Sequence, residues 1–145
     1  MLLTQEQKYQ RRLRLIKESK IKSINKKIQN SDYHKKKELL SLFDRSYNIR
    51  KNTIKFNSHN TEAHELAKCI LALDLLKSGK TFYCEAIFLS GLRADLVCLE
   101  DFSAYEVIVS ESEHSIRNKQ ENYPLPILYF KAEDIISKYL TKVIQ

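Results

Sequence analysis

Two carboxylates stand where an apolar strand has no use for them. In residues 92–112, LRADLVCLEDFSAYEVIVSES, Asp95 and Glu106 each interrupt a short apolar run, and an acidic turn at 100–102 separates the runs. Strand side chains alternate, which predicts Arg93, Asp95 and Val97 on one face, and Glu106 with Ile108 on one face of the next strand. Pairing the strands around the turn brings both acids within reach of one divalent ion. Hard oxygen ligands of this kind hold Mg2+ or Mn2+, which polarises a phosphoryl oxygen and makes hydroxide available from bound water. The backbone carbonyl of Val107 is a candidate third oxygen. The chemistry expected is phosphodiester cleavage. The alternative is Asp95 paired with Arg93 or Lys68 and Glu106 at a solvated sheet edge.

The elements that must position these acids are legible from pattern. Thr61 caps a helix with an acidic first turn (Glu62, Glu65), a predicted core face of Leu66, Ile70, Leu73 and Leu76, and a stop at Gly79. Three strand-like runs follow at 81–89, 92–99 and 104–110, and their short links predict an antiparallel meander. Residues 111–122 suit a short helix, 127–130 (ILYF) a short, continuous apolar strand, and 132–143 a last helix burying Ile135, Ile136, Tyr139, Leu140 and Val143. The predicted class is α/β, in the order α-β-β-β-α-β with a C-terminal helix.

Ahead of this body, residues 1–55 hold 16 of the 25 Lys and Arg against 5 of the 18 acids, a balance of +11, which leaves −4 for 56–145. The reading is a basic helical arm (1–55) joined to an α/β domain (56–145). The arm is predicted as a hairpin: one helix over 4–29 with Leu13, Ile16, Ile21, Ile24 and Ile28 on a narrow apolar stripe, a break at Asn30, Ser31 and Asp32, and a second helix over 33–47 burying Leu39, Leu40, Leu42 and Phe43. Residues 48–60 read as a polar linker. Basic segments draw polyanions through phosphate neutralisation, and Arg11, Arg12, Arg14, Lys17, Lys20, Lys35, Lys36 and Lys37 are the candidate contacts to DNA, or to RNA. A solvated or bracing helix is the alternative; without Trp, and with few Phe on the apolar face, a membrane surface is not the expected partner.

Two glycines leave no Gly-rich phosphate loop, which argues against a P-loop ATPase or a dinucleotide enzyme. Cys69, Cys84 and Cys98 form no CxxC pair and lie in apolar segments, as reduced thiols do. With no signal-like N-terminus or long apolar run, the expectation is a soluble protein of the cytoplasm.

The region from His64 to about Phe130 resembles the PD-(D/E)XK nuclease superfamily, and within it CoiA-like competence nucleases and Holliday-junction-resolvase-type domains. The matching pieces are His64 and Lys68 in EAHELAK, Glu85 in YCEAIF, Arg93 and Asp95 in LRADLV, and Glu106 with Ser110 in YEVIVSES, covering roughly half of the chain. The resemblance implies a restriction-endonuclease-like core, with Asp95 as the acid of the second strand and Glu106 as the acid of E-x-K. It implies a further acid at Glu65 or Glu62 and homodimerisation as a way to cut both strands. One position departs. Ile108 stands where the motif has lysine, so Lys68 or Arg93 is the candidate replacement; without one, the fold would bind nucleic acid and not cleave it.

Overall fold

The computed structural model describes residues 3–144, and the side chains of residue 25 and of residues 27–32 lie outside that description. Contacts divide the chain into two units, Met1–Glu38 and Leu39–Gln145. Helix α1 (Gln5–Ser41) is continuous for 37 residues. It opens on a capping box: Thr4 Oγ1 accepts the Gln7 amide at 3.2 Å, and Gln7 Oε1 accepts the Thr4 amide at 2.9 Å. Gln10 to Glu6 (2.9 Å) and Arg14 to Glu18 (3.7 Å) add pairs one turn apart. The hairpin is therefore corrected to one helix. Asn, Ser and Asp cost a helix only a few tenths of a kcal/mol each, and no Gly or Pro is there to stop it. Ile28 and the capping roles expected of Asn30, Ser31 and Asp32 fall on side chains outside the described residues. Of the predicted stripe, Leu13 is half-buried, and Ile16, Ile21 and Ile24 are exposed.

The second unit contains α2 (Glu62–Lys77), β1 (Phe82–Ile87), β2 (Arg93–Cys98), β3 (Ser103–Ile108), α3 (Glu113–Asn122), β4 (Ile127–Lys131) and α4 (Ala132–Ile144). The sheet order is β1-β2-β3-β4. The first three strands form the expected antiparallel meander, and α3 carries the chain over to β4, which runs parallel to β3. This is a mixed four-stranded α/β sheet flanked by helices, matching the α-β-β-β-α-β order with an extra helix at each end. None of the described helices is long and apolar enough to cross a membrane.

Alternation along the strands gives the sheet two cores. Phe82, Cys84, Leu96, Cys98, Tyr105 and Val107 pack with Ala67, Leu71 and Leu75 of α2 and with Ala132 of α4. Tyr83, Val97 and Ala104 point the other way and pack with Leu39, Phe43, Phe88, Tyr123 and Leu125. Leu39 and Phe43, read from the sequence as a face of the arm, are thus core residues of the second unit.

The stretch read as a linker is also partly structured. Bridges Phe43↔Phe88 and Lys51↔Tyr83, with Asn52 N donating to Phe82 O at 2.8 Å, cover the outer edge of β1. Cys84 and Cys98 are buried, Cys69 is half-buried, and all three are free thiols.

The buried face of α2 is not the one expected. Leu66, Leu73 and Leu76 are exposed; of the four expected core residues Ile70 is buried, together with His64, Ala67, Lys68, Leu71, Ala72 and Leu75. Both stripes of this helix are apolar enough to be a core face. The one that turns inward carries His64 and Lys68, whose polar ends meet acids on the sheet. On α4, Leu140 and Val143 stay exposed, while Ile135, Ile136 and Tyr139 are half-buried.

Candidate functional site

Asp95 and Glu106 meet where the β2–β3 ladder ends. The last paired residues are Leu96 and Tyr105, so continuing the register sets Asp95 opposite Glu106. Each carboxylate then takes an amide of the other strand. Glu106 Oε1 accepts from Asp95 N at 3.1 Å, and Asp95 Oδ2 accepts from Val107 N at 2.8 Å. The acids serve as side-chain rungs at the point where the strands part.

Beyond this fork their partners lie on different elements. Asp95 Oδ2 is 3.2 Å from His64 Nε2 on α2. Glu106 Oε2 receives Lys119 Nζ of α3 at 3.1 Å, and Glu106 Oε1 lies 3.0 Å from the Tyr123 hydroxyl, which also contacts the carbonyl of Arg93. Lys119 reaches Glu111 at 3.4 Å as well, while the second Glu111 oxygen is buried with no hydrogen-bond partner.

The α2 side continues the alternation of charge. His64 Nδ1 is 3.1 Å from Glu65 Oε1, so both ring nitrogens face carboxylate oxygens, the geometry of an imidazolium. Lys68, fully buried, donates to Glu65 at 2.7 Å, to Glu85 at 2.8 Å and to the carbonyl of Lys55 at 2.7 Å. Those three acceptors use all three of its ammonium protons. Arg93 approaches the other oxygen of Glu85 at 3.7 Å. Glu65 is also held by Asn57 N (3.0 Å) and Asn60 Nδ2 (2.9 Å). Glu85 has φ 53°, a left-handed backbone that non-glycine residues rarely adopt. Cys84 and Ala86, two residues apart on either side of it, accordingly pack into different cores.

These surroundings set the protonation states. Burial and the neighbouring Asp95 charge push Glu106 up to about 7, against the pull of Lys119. Burial also works against ionised Glu65, but the hydrogen bonds from Lys68, Asn60 and Asn57 outweigh it and hold that carboxyl at about 2. The hydrogen bond to Asp95 raises His64 despite its burial. Lys68 and Lys119 also lie above the usual lysine value, since the carboxylates around each outweigh desolvation. Tyr123 is raised by burial and by Glu106.

Of the residues singled out from sequence, Asp95, Glu106, Glu65 and Lys68 belong to this network, and Lys68 serves Glu65 and Glu85 instead of the Asp95–Glu106 fork. Glu62 is exposed. Val107 contributes its amide to Asp95. Ile108 puts an aliphatic side chain on the wall of a cavity of ≈ 660 Å³ that it shares with Ala63, Glu111, Lys131 and Glu133. Lys119 and Tyr123 were missed, because α3 is polar throughout and no spacing rule ties it to Glu106. The only available cue is chain path, since the crossover from β3 to β4 has to pass the end of the sheet.

The donor set does not assemble a cage for a hard cation as it stands. Every oxygen of Glu65 and Glu106 already faces a protein donor, and Asp95 shares Oδ2 between an amide and an imidazole. Among the described residues, no group of three or more His, Cys, Asp and Glu side chains is placed to hold a metal ion. Of the arm residues proposed as phosphate contacts, Arg11, Arg12, Arg14, Lys17, Lys20, Lys36 and Lys37 are exposed, and Lys35 is half-buried. Scans against family models, curated proteins and solved structures return no match to this chain.

Proposed function

We propose that the chain is a non-catalytic nucleic-acid-binding protein on a nuclease-like α/β fold. One observation carries the binding half of this reading: the cations of α1 at 8, 11, 12, 14, 17, 20, 22 and 26 are all exposed on an uninterrupted helix. A rod of positive charge exchanges its counterions for phosphates and binds without reading sequence. The non-catalytic half rests on the protein donors that occupy both oxygens of Glu106 and of Glu65, and Oδ2 of Asp95. The test is fluorescence anisotropy with labelled DNA and RNA across a salt series. Affinity should fall steeply with salt, and an Arg11→Gln/Arg12→Gln/Lys17→Gln/Lys20→Gln variant should lower the log–log slope by roughly 1 for each phosphate it no longer neutralises. Absence of binding at low salt, or a variant with an unchanged slope, overturns the reading.

A second reading, metal-dependent phosphodiester hydrolysis of the PD-(D/E)XK type, is favoured by one distance. Lys119 Nζ stands 3.1 Å from Glu106, beside Asp95, and offers from α3 the cation that Ile108 cannot supply. Nicking of supercoiled plasmid with Mg2+ or Mn2+ tests it. Cleavage that disappears in Asp95→Asn and in Lys119→Met would establish this reading over the first.

A further inference from the structure

Tyr47 and Phe56 are 53% and 73% exposed, on the segment between α1 and α2. Both line one depression of ≈ 290 Å³, together with Asn48, Asn57, Glu85 and Arg93. That volume is at the small end of ligand cavities, suited to one planar heterocycle and not to a duplex.

The walls of this pocket are fixed from beneath. Lys55 Nζ bonds the Asn48 carbonyl and so ties the two stretches of loop together, while the carbonyl of Lys55 is gripped by buried Lys68. Asn57 is anchored through its amide to Glu65, and its side-chain oxygen accepts from His59 N at 3.0 Å, which directs its NH2 as a donor. Glu85 forms a polar floor, with its side chain 7% exposed, and the Arg93 guanidinium stands half-exposed at the rim. The segment itself is basic: Arg45, Arg50, Lys51 and Lys55 against Asp44. Flat aromatic faces beside amides, a carboxylate and a guanidinium, on a cationic loop, are the groups that stack a base, bond its edge and hold its phosphate.

We infer that this pocket takes an unpaired nucleobase, so that the protein holds nucleic acid preferentially where it is single-stranded or unstacked. The inference rests on the nucleic-acid-binding reading and names the form of its ligand. Bases paired inside a duplex cannot reach the pocket.

The experiment uses the full chain and three labelled 15-mers: oligothymidylate, the same backbone with abasic residues, and a duplex. Wild type should bind oligothymidylate roughly ten-fold more tightly than the abasic strand, the worth of one stacked base. Phe56→Ala should lose that difference while keeping its affinity for the abasic strand and the duplex, and Phe56→Tyr, which retains a ring, should keep the difference. Phe56 is mostly exposed, so circular dichroism should show both variants folded. Equal wild-type affinity for base-bearing and abasic strands, or preference for the duplex, overturns the base pocket and leaves nucleic-acid binding standing. No binding to any of the three overturns both.

Discussion

Burial and the charge of Asp95 move the protonation of Glu106 towards neutral pH. Held at about 7 instead of 4.5, it keeps a proton in the folded state that the unfolded chain has already released. For such a group, stability falls as pH rises from about 4.5 to 7, by on the order of 2–3 kcal/mol. His64 acts in the same direction: its raised value gives stability that is fully present below 6.5 and lost as pH climbs through its folded value. The thermal midpoint should therefore drop between pH 5 and pH 8, and Glu106→Gln should flatten the profile. A midpoint that rises towards pH 8 would contradict this account of the fork. Glu65 titrates in a separate window, its contribution being lost only as pH falls from 4.5 towards 2. Lys68→Met tests the other end of the network. It leaves Glu65 and Glu85 without their shared cation, and urea titration should show a loss of about 3–5 kcal/mol. At this scale the sequence was informative where a polar residue interrupted an apolar pattern. Asp95 and Glu106 were visible for that reason, Lys68 came only through the resemblance and as a possible partner, and Lys119 sits among polar neighbours and gave no such contrast.

The elements were legible to the extent that punctuation or period was unambiguous. Thr61 and Gly79 bracket α2 as expected, with Thr61 Oγ1 accepting the His64 amide at 3.2 Å and Gly79 at φ 72° just past the end. Thr61→Ala should cost about 1 kcal/mol, read from the thermal midpoint. Gly79→Ala should cost a similar amount although an added Cβ would meet nothing within 4 Å, since the penalty comes from the left-handed backbone alone. Which face of α2 turns inward was not legible, because Leu66 and Leu73 compete with Ala67 and Leu71 and only the acids waiting on the sheet decide. The predicted hairpin failed for a related reason: Asn, Ser and Asp permit a turn, and nothing there requires one. Helix α1 buries little of its surface through residue 24, so its amides rest on local interactions. Hydrogen exchange should find residues 8–24 poorly protected beside the strands; equal protection would mean that α1 is covered in solution.

Across the whole molecule, charge is divided by segment, and the salt dependence of the proposed nucleic-acid binding is the measurement that addresses it. The acids of the buried network, Glu65, Glu85, Asp95 and Glu106, lie close to internal cations, so a phosphate approaching them meets compensated charge and not a bare acidic cleft. The α/β class and strand order followed from the short links between apolar runs, but the parallel placement of β4 depended on where α3 carried the chain. The fork at Asp95 and Glu106 has a consequence for lineages. Because each acid satisfies a backbone amide of the opposite strand, selection for folding alone suffices to retain both. An Asp and a Glu facing each other across two strands are therefore accounted for by the fold and are not by themselves a mark of catalysis.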